Sequence, residues 1–306
     1  MESGEYQPPA SSAIFQAQRD ITSLRYLLAQ RRLYSKAKAW LSLRWTGMLC
    51  IGIAAPVVSV LIPSTAVAAG AIAGLWIFLG RTTLTKLQCD QTDLAAAVQE
   101  KFDMRIFDMP VSVERSKVPS REDIMRLTGS ETEVVQAAEK EKLVEETGWY
   151  PINLDETGPR SVAICQRANA SYADSLLRST ATAWRVVIVV WALVLTAACI
   201  ILRLSFETVL LGIMLPLLPA ILDVIQYATG IRRAAVDRAE LARSIERRLE
   251  GDEIDNNDLL VWQGRLYELR RSTPEVPNLI YRIMRRRNEQ AMHSAADQLS
   301  SQGGNA

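Results

Sequence analysis

From Trp45 to Gly80 the chain runs for thirty-six residues without a charged side chain. One helix of that length would rise about 54 Å, against a hydrocarbon core of about 30 Å, so the stretch has to turn back. Ile62-Pro63-Ser64-Thr65 is the bend, because proline lacks an N–H and disfavours helix in the residue before it. The pattern predicts two short membrane helices, Leu43–Leu61 and Ser64–Gly80. Ala66, Gly70 and Gly74 recur every fourth residue and give the second helix a small-residue face, the kind that lets helices approach closely in lipid. A second apolar pair follows: Val186–Leu202, bounded by Arg185 and Arg203, and Phe206–Thr229, interrupted by Pro216, Pro219 and Asp223. The loop from Arg203 to Glu207 is too short to hold a domain.

The rest of the chain carries helix-spaced apolar residues. Ile14, Ile21, Leu24, Leu28 and Leu33 predict a helix over Ala13–Lys38, and Leu87, Leu94, Val98 and Phe102 one over Leu84–Phe102. Ser120 with Asp123, and Ser130 with Glu133, resemble capping boxes, the first helix stopping at Gly129 and the second ending before Gly148. Trp149-Tyr150-Pro151-Ile152-Asn153 reads as extended. A helix over Arg160–Arg178 leads to the third span. Ile231–Glu250, free of Gly and Pro, prolongs the fourth span, and Leu259–Leu269 and a helix capped by Pro277-Asn278 close the chain. The division is 1–42 (N-terminal helix), 43–80 (first hairpin), 81–183 (central helical region), 184–229 (second hairpin) and 230–306 (C-terminal helices). The fold class is an all-α membrane protein: four transmembrane helices in two short hairpins, with a helical cytosolic domain built from the N-terminal, central and C-terminal segments.

Charge supplies the orientation. Lys36, Lys38 and Arg44, with Trp40 and Trp45, precede the first span. Arg81 and Lys86 follow the second, Arg178 and Arg185 precede the third, and Arg232 and Arg233 follow the fourth, while the turn at Pro63 has no charge. By the positive-inside rule both termini and the central region face the cytosol of a bacterial cell, with the chain multi-pass in its inner membrane. Met1–Ala13 has no apolar core and predicts no cleavable signal peptide. Over the whole chain, Lys+Arg 35 against Asp+Glu 34 gives no bias toward DNA or RNA. Four cysteines without a CxxC pair and a single histidine argue against a metal site or a disulfide framework. No nucleophile, metalloprotease or phosphate-loop motif occurs, so the expectation is a protein that is not an enzyme and has no cofactor.

Asp223 is the exception to the apolar pattern. An ionisable group inside a span is costly and faces a partner or a watery cavity, unless the span simply ends early, near Tyr227. Pro216 and Pro219 leave carbonyls one turn back without donors and predict a kink near Gly212–Met214. Pro216, Pro219 and Asp223, with Gly70 and Gly74, are the candidate gating residues. In the polar parts, Trp149, Tyr150, Arg160, Gln166, Arg167, Tyr281, Arg282 and Arg285 place aromatic rings near guanidinium groups. Phosphate recognition wants the forks and base recognition the flat faces. The alternative is a solvated helix exterior.

Several blocks resemble one family. Trp149-Tyr150-Pro151-Ile152, Ile164-Cys165-Gln166-Arg167-Ala168-Asn169 with Asp174 and Arg178, and Ala97–Asp103 followed by Met109-Pro110 are similar to segments of the SMODS-associated four-transmembrane effectors. Tyr281-Arg282, Arg285, Glu289 and Met292 resemble that family's C-terminal helix. Val111 stands where the family's tryptophan is expected. These are effectors of bacterial cyclic-oligonucleotide antiphage signalling (CBASS), held to form pores. The resemblance implies that a CD-NTase-type cyclase makes a cyclic di- or trinucleotide and that this protein answers by permeabilising the bilayer and arresting growth. Four short helices alone make a poor aqueous pore, so a homo-oligomer is expected. Asn169 joins the candidate ligand-binding residues through this block. A constitutive channel or small transporter, and a non-conducting membrane scaffold, are the alternatives.

Overall fold

The computed structural model describes residues 6–110, 117–143, 148–150, 152–154 and 156–278, with 280, 281, 283, 284, 290–292, 294, 295, 298 and 299 beyond them. Of residues 55, 56, 59, 60, 63, 66, 212, 215, 216 and 219 it describes only the backbone. Among the described residues there are helices and no strand. They are α1 (Ser11–Ala17), α2 (Ile21–Leu61), α3 (Ala66–Leu79), α4 (Thr85–Ile106), α5 (Arg121–Thr128), α6 (Glu131–Glu141), α7 (Gly158–Ile201), α8 (Leu215–Glu250) and α9 (Asn256–Ser272). Described residues between 278 and 299 are helical as well.

Two expected boundaries are absent. The helix expected over Ala13–Lys38 and the span expected from Leu43 form one helix, α2, because nothing between Lys38 and Leu43 breaks it. The separate break comes earlier, at Asp20, whose carboxylate accepts from the Thr22 N–H at 3.1 Å and caps α2. Likewise Arg160–Arg178 and the third span are one 44-residue helix, α7, with neither Gly nor Pro after Pro159. Both capping boxes form, at Ser120 and Ser130. The second helix ends before Gly148, at Glu141, where Lys142 turns left-handed.

A short 3-10 turn over Pro63–Thr65 sends α3 back along α2. Their contact is close at Gly47, where any Cβ would strike the indole of Trp76. Gly70 and Gly74 lie elsewhere: a Cβ at either meets nothing within 4 Å, so this small-residue face is turned away from the chain's own helices. A π-helical turn, Gly80–Leu84, joins α3 to α4. Another, Thr208–Met214, precedes α8 and covers the kink position set by the two prolines.

Two helical runs, Val67–Ile106 and Gly158–Ile201, are long and apolar enough to cross a membrane. Around them one end of the bundle shows exposed large hydrophobics: Leu49, Ile53 and Leu61 on α2, Val67 and Phe78 on α3, Val190 and Leu193 on α7, and Leu218 and Leu222 on α8. The other end has an ordinary core. Leu27 and Leu28 of α2, Phe102 of α4, Val162 of α7, Ile245 and Leu249 of α8 and Leu259 and Leu266 of α9 are buried there together. Each such side chain contributes about 1.5–3 kcal/mol on burial, so this end forms an independent core.

Candidate ligand cavity

Where the cored end meets the apolar end lies a cavity of about 680 Å³, within the range of about 300–1,000 Å³ usual for small-molecule sites. Three of its walls belong to helices that continue into the apolar end. Tyr34 and Lys38 come from α2, Tyr172 and Leu176 from α7, and Arg238 from α8. The remaining wall is Trp149 and Tyr150, then Arg270 at the end of α9 and the segment Pro274–Val276.

Its electrostatics are cationic, with one acid. Burial pulls Arg238 down to about 10, and the neighbouring Arg270 acts in the same direction. Arg238 donates to the Leu269 carbonyl at 3.1 Å and the Thr273 hydroxyl at 3.3 Å. Its Nε, like the buried Oε1 of Gln30, has no hydrogen-bond partner among the described residues. Lys38 is pulled down by desolvation, partly offset by Glu275, and its ammonium sits 5.0 Å from the Tyr281 ring centre. Glu275 is pushed up to about 6 by burial, with Lys38, the Thr92 hydroxyl and Arg238 acting against that. Buried polar groups are nearly always paired, so unpaired ones in a cavity wall mark places where a polar ligand would be held.

The cavity floor is a connected polar network, in which the buried Nε and Nη1 of Arg270 lack a hydrogen-bond partner among the described residues. Tyr150 donates to Asp103 at 2.8 Å and accepts from the Asn169 amide at 3.1 Å. Arg270 bonds Asp103 at 2.6 Å, and Gln263 donates to Asp103 and Glu100 at 3.0 and 2.7 Å. Burial disfavours the Arg270 charge, but Asp103, with Tyr150 and Glu100, outweighs it and holds the guanidinium above its ordinary value. The network ties α4, α7 and α9 to the cavity.

Trp149, Tyr150, Asn169 and Tyr281 therefore share the cavity, as does Met292 from the C-terminal block. Arg160, Gln166 and Arg167 lie elsewhere. Arg160 is buried against the carbonyls of Leu249 and Leu299, at 3.0 and 2.7 Å, with Glu156 at 3.3 Å. Gln166 binds the Leu259 carbonyl and Gln263. Arg167 meets Glu246 at 3.3 Å. Arg282 and Arg285 are outside the described residues, as are Glu289, His293 and Val111. Arg270 and Glu275 carry no signal in the sequence, and Lys38 stands out there only as a basic flank of the first span. For Arg238 the one sequence signal is the lack of Gly and Pro across Ile231–Glu250, which carries it in the cored end.

A second cluster stands just below the cavity. Asp223 is buried and ion-paired to Arg44, and Arg81 reaches its other oxygen at 3.1 Å. Arg44 also donates to the Thr85 hydroxyl at 3.0 Å, and Arg81 to the Gln226 amide oxygen at 2.8 Å. Beside it Trp45, Trp184 and Tyr227 form a ring cluster with centres 4.6–5.5 Å apart. Asp223 thus has partner groups in Arg44 and Arg81, the basic flanks of the first hairpin. The side chains of Pro216 and Pro219 are outside the described set; their backbone lies in the first turns of α8.

The model of the SMODS-associating 4TM effector domain matches residues 12–299. The chain belongs to that family. Membership makes it a membrane effector associated with SMODS-type, CBASS defence systems. Neither the search of curated proteins nor that of solved structures gave a match. The match spans both the apolar end and every cavity wall of this effector, so cavity and membrane part belong to one family domain.

Proposed function

We propose that this effector binds a cyclic oligonucleotide in the cavity and answers by permeabilising the cell membrane. One observation carries the reading. The cavity joins cations to aromatic faces on the same three helices, α2, α7 and α8, that run into the exposed apolar end. Lys38 and Arg238 suit phosphates, and Trp149, Tyr34, Tyr172 and Tyr281 offer faces on which bases stack. On this reading residues 43–61, 66–79, 184–201 and 206–229 are four membrane spans in two hairpins, with termini and cavity in the cytosol. Homo-oligomers line the pore, since four short helices enclose little water alone. A ligand opens the assembly only through its higher affinity for the open state.

The test is dye efflux from proteoliposomes with and without cyclic di- and trinucleotides. Nucleotide-dependent efflux supports the reading. Equal efflux in both conditions means a constitutive channel, and binding without efflux means a scaffold. For topology, labels applied from outside to single cysteines should reach only positions near Ser64 and Ser205; labelling at position 130 or 265 overturns it.

A further inference from the structure

Glu275 touches both the cavity and the ring cluster beneath it. Its side chain is buried in the cavity wall, where Oε1 accepts from the Thr92 hydroxyl on α4 at 3.0 Å. Its backbone carbonyl faces the other way and accepts from the Tyr227 hydroxyl on α8 at 2.6 Å. Tyr227 packs edge-on against Trp45 and Trp184. One turn earlier on α8 is Asp223, whose partner Arg44 is the neighbour of Trp45. A displacement of Glu275 is thus passed in one step to Tyr227, and from there to α2 and α7 as well as α8.

The charges around Glu275 are unequal. Lys38 and Arg238 line the same cavity, and neither forms an ion pair with a carboxylate among the described residues. Arg31 is engaged by Glu141 and Arg270 by Asp103, so they are already compensated. Glu275 is the cavity's acidic side chain among the described lining residues. A phosphate entering this space would be drawn to Lys38 and Arg238 and repelled by Glu275, because like charges in a poorly hydrated site interact strongly.

We infer that Glu275 is a resident anion, opposing Lys38 and Arg238 in the cavity wall, that a ligand phosphate displaces, and that its departure withdraws the carbonyl from Tyr227. This deepens the proposed function and rests on the cavity being a phosphate-bearing ligand's site. The hydroxyl of Tyr227 holds the resting arrangement, and the Pro274–Val276 segment is the moving part. Glu275 would be a positioning residue for the helix ends, acting through Tyr227.

The test uses the full chain in detergent and in proteoliposomes, with cyclic di-GMP, cyclic di-AMP and cyclic tri-AMP as nucleotide probes and inorganic pyrophosphate as a probe without bases. Glu275→Gln keeps the size and the acceptor for Thr92 but removes the charge. Calorimetry should show it binding whichever nucleotide the wild type binds at least 10-fold more tightly, and pyrophosphate more tightly as well. Tyr227→Phe keeps the ring cluster and removes the hydroxyl. It should leak dye without ligand and bind the nucleotide at least as tightly as wild type, because the open state it favours is the higher-affinity one. Unchanged or weaker binding by Glu275→Gln overturns the inference, and so does wild-type, ligand-dependent efflux from Tyr227→Phe. If no nucleotide binds either protein, the nucleotide reading fails by itself. The pyrophosphate arm then decides: tighter binding to Glu275→Gln supports the resident anion, and equal or absent binding overturns it.

Discussion

Arg44 and Asp223, 179 positions apart, form a buried ion pair that joins α2 to α8 where the apolar end begins. Asp223 is 3 % exposed and Arg44 9 %, so neither charge has water as an alternative partner. Removing one member strands the other, which costs about 3–5 kcal/mol for buried pairs. Asp223→Ala should therefore lower the unfolding midpoint in detergent steeply. The double variant Arg44→Leu/Asp223→Leu should recover most of that loss. Arg81, the half-exposed third member, is worth about 1 kcal/mol or less in Arg81→Ala. A double variant no better than Asp223→Ala would show that the pair is not coupled.

Cavity and non-cavity arginines should separate cleanly in binding. Arg238→Gln and Lys38→Gln should each weaken the affinity for a bound cyclic oligonucleotide about 10-fold or more, or about 1.4 kcal/mol. Arg167→Gln should leave it within 2-fold, because its guanidinium is held by Glu246 outside the cavity. Calorimetric titration of the three variants decides, and a loss confined to Arg167→Gln would relocate the site.

Stability should fall with rising pH through Glu275. Its ordinary value of 4.5 is raised by burial to about 6 in the folded chain. The folded state then binds the proton more tightly, so this contribution is complete below 4.5 and is lost as pH rises through about 6. It amounts to about 2 kcal/mol between the two limits. Wild type should lose melting temperature relative to Glu275→Gln between pH 4.5 and 7.5. A difference that does not change with pH would remove the buried carboxylate as its source.

The glycines of the apolar end should respond in opposite directions. Gly47→Ala drives a methyl into the Trp76 indole, and overpacking of this kind costs about 1–3 kcal/mol. Gly70→Ala and Gly74→Ala meet open space within the chain and add helix propensity, so the monomer's unfolding midpoint should hold or rise. Equal losses at all three would mean that the outward face is covered in solution.

The helical class, the turn at Pro63, both capping boxes and the anomaly at Asp223 were legible in sequence, because each depends on neighbours within a few residues. Charge-free length and proline chemistry leave little choice there. The continuity of α2 and α7 was less legible: periodicity marks a buried face, and here the face changes from core to exposed apolar surface along one unbroken helix. Conserving the helix through such a change is a matter of the backbone, which the absence of Gly and Pro from residues 21–46 of α2 and from α7 after Pro159 permits but does not announce.

The cavity is a product of tertiary structure. Lys38, Arg238, Arg270 and Glu275 come from three helices and a connecting segment, and none looks unusual beside its sequence neighbours. Their burial together makes the space cationic and leaves Glu275 beside two cations, Lys38 and Arg238, that have no carboxylate ion pair among the described residues. The same holds for Arg160 and Arg167, which resemble phosphate ligands in sequence yet are used by carbonyls and by Glu246. A guanidinium's role is set by the acceptors that packing brings within reach. Sequence alone determined that this chain is helical, with a long uncharged stretch that must reverse near Pro63. Tertiary packing decided which charges meet, because ion pairs such as Arg44–Asp223 depend on distance in space rather than along the chain.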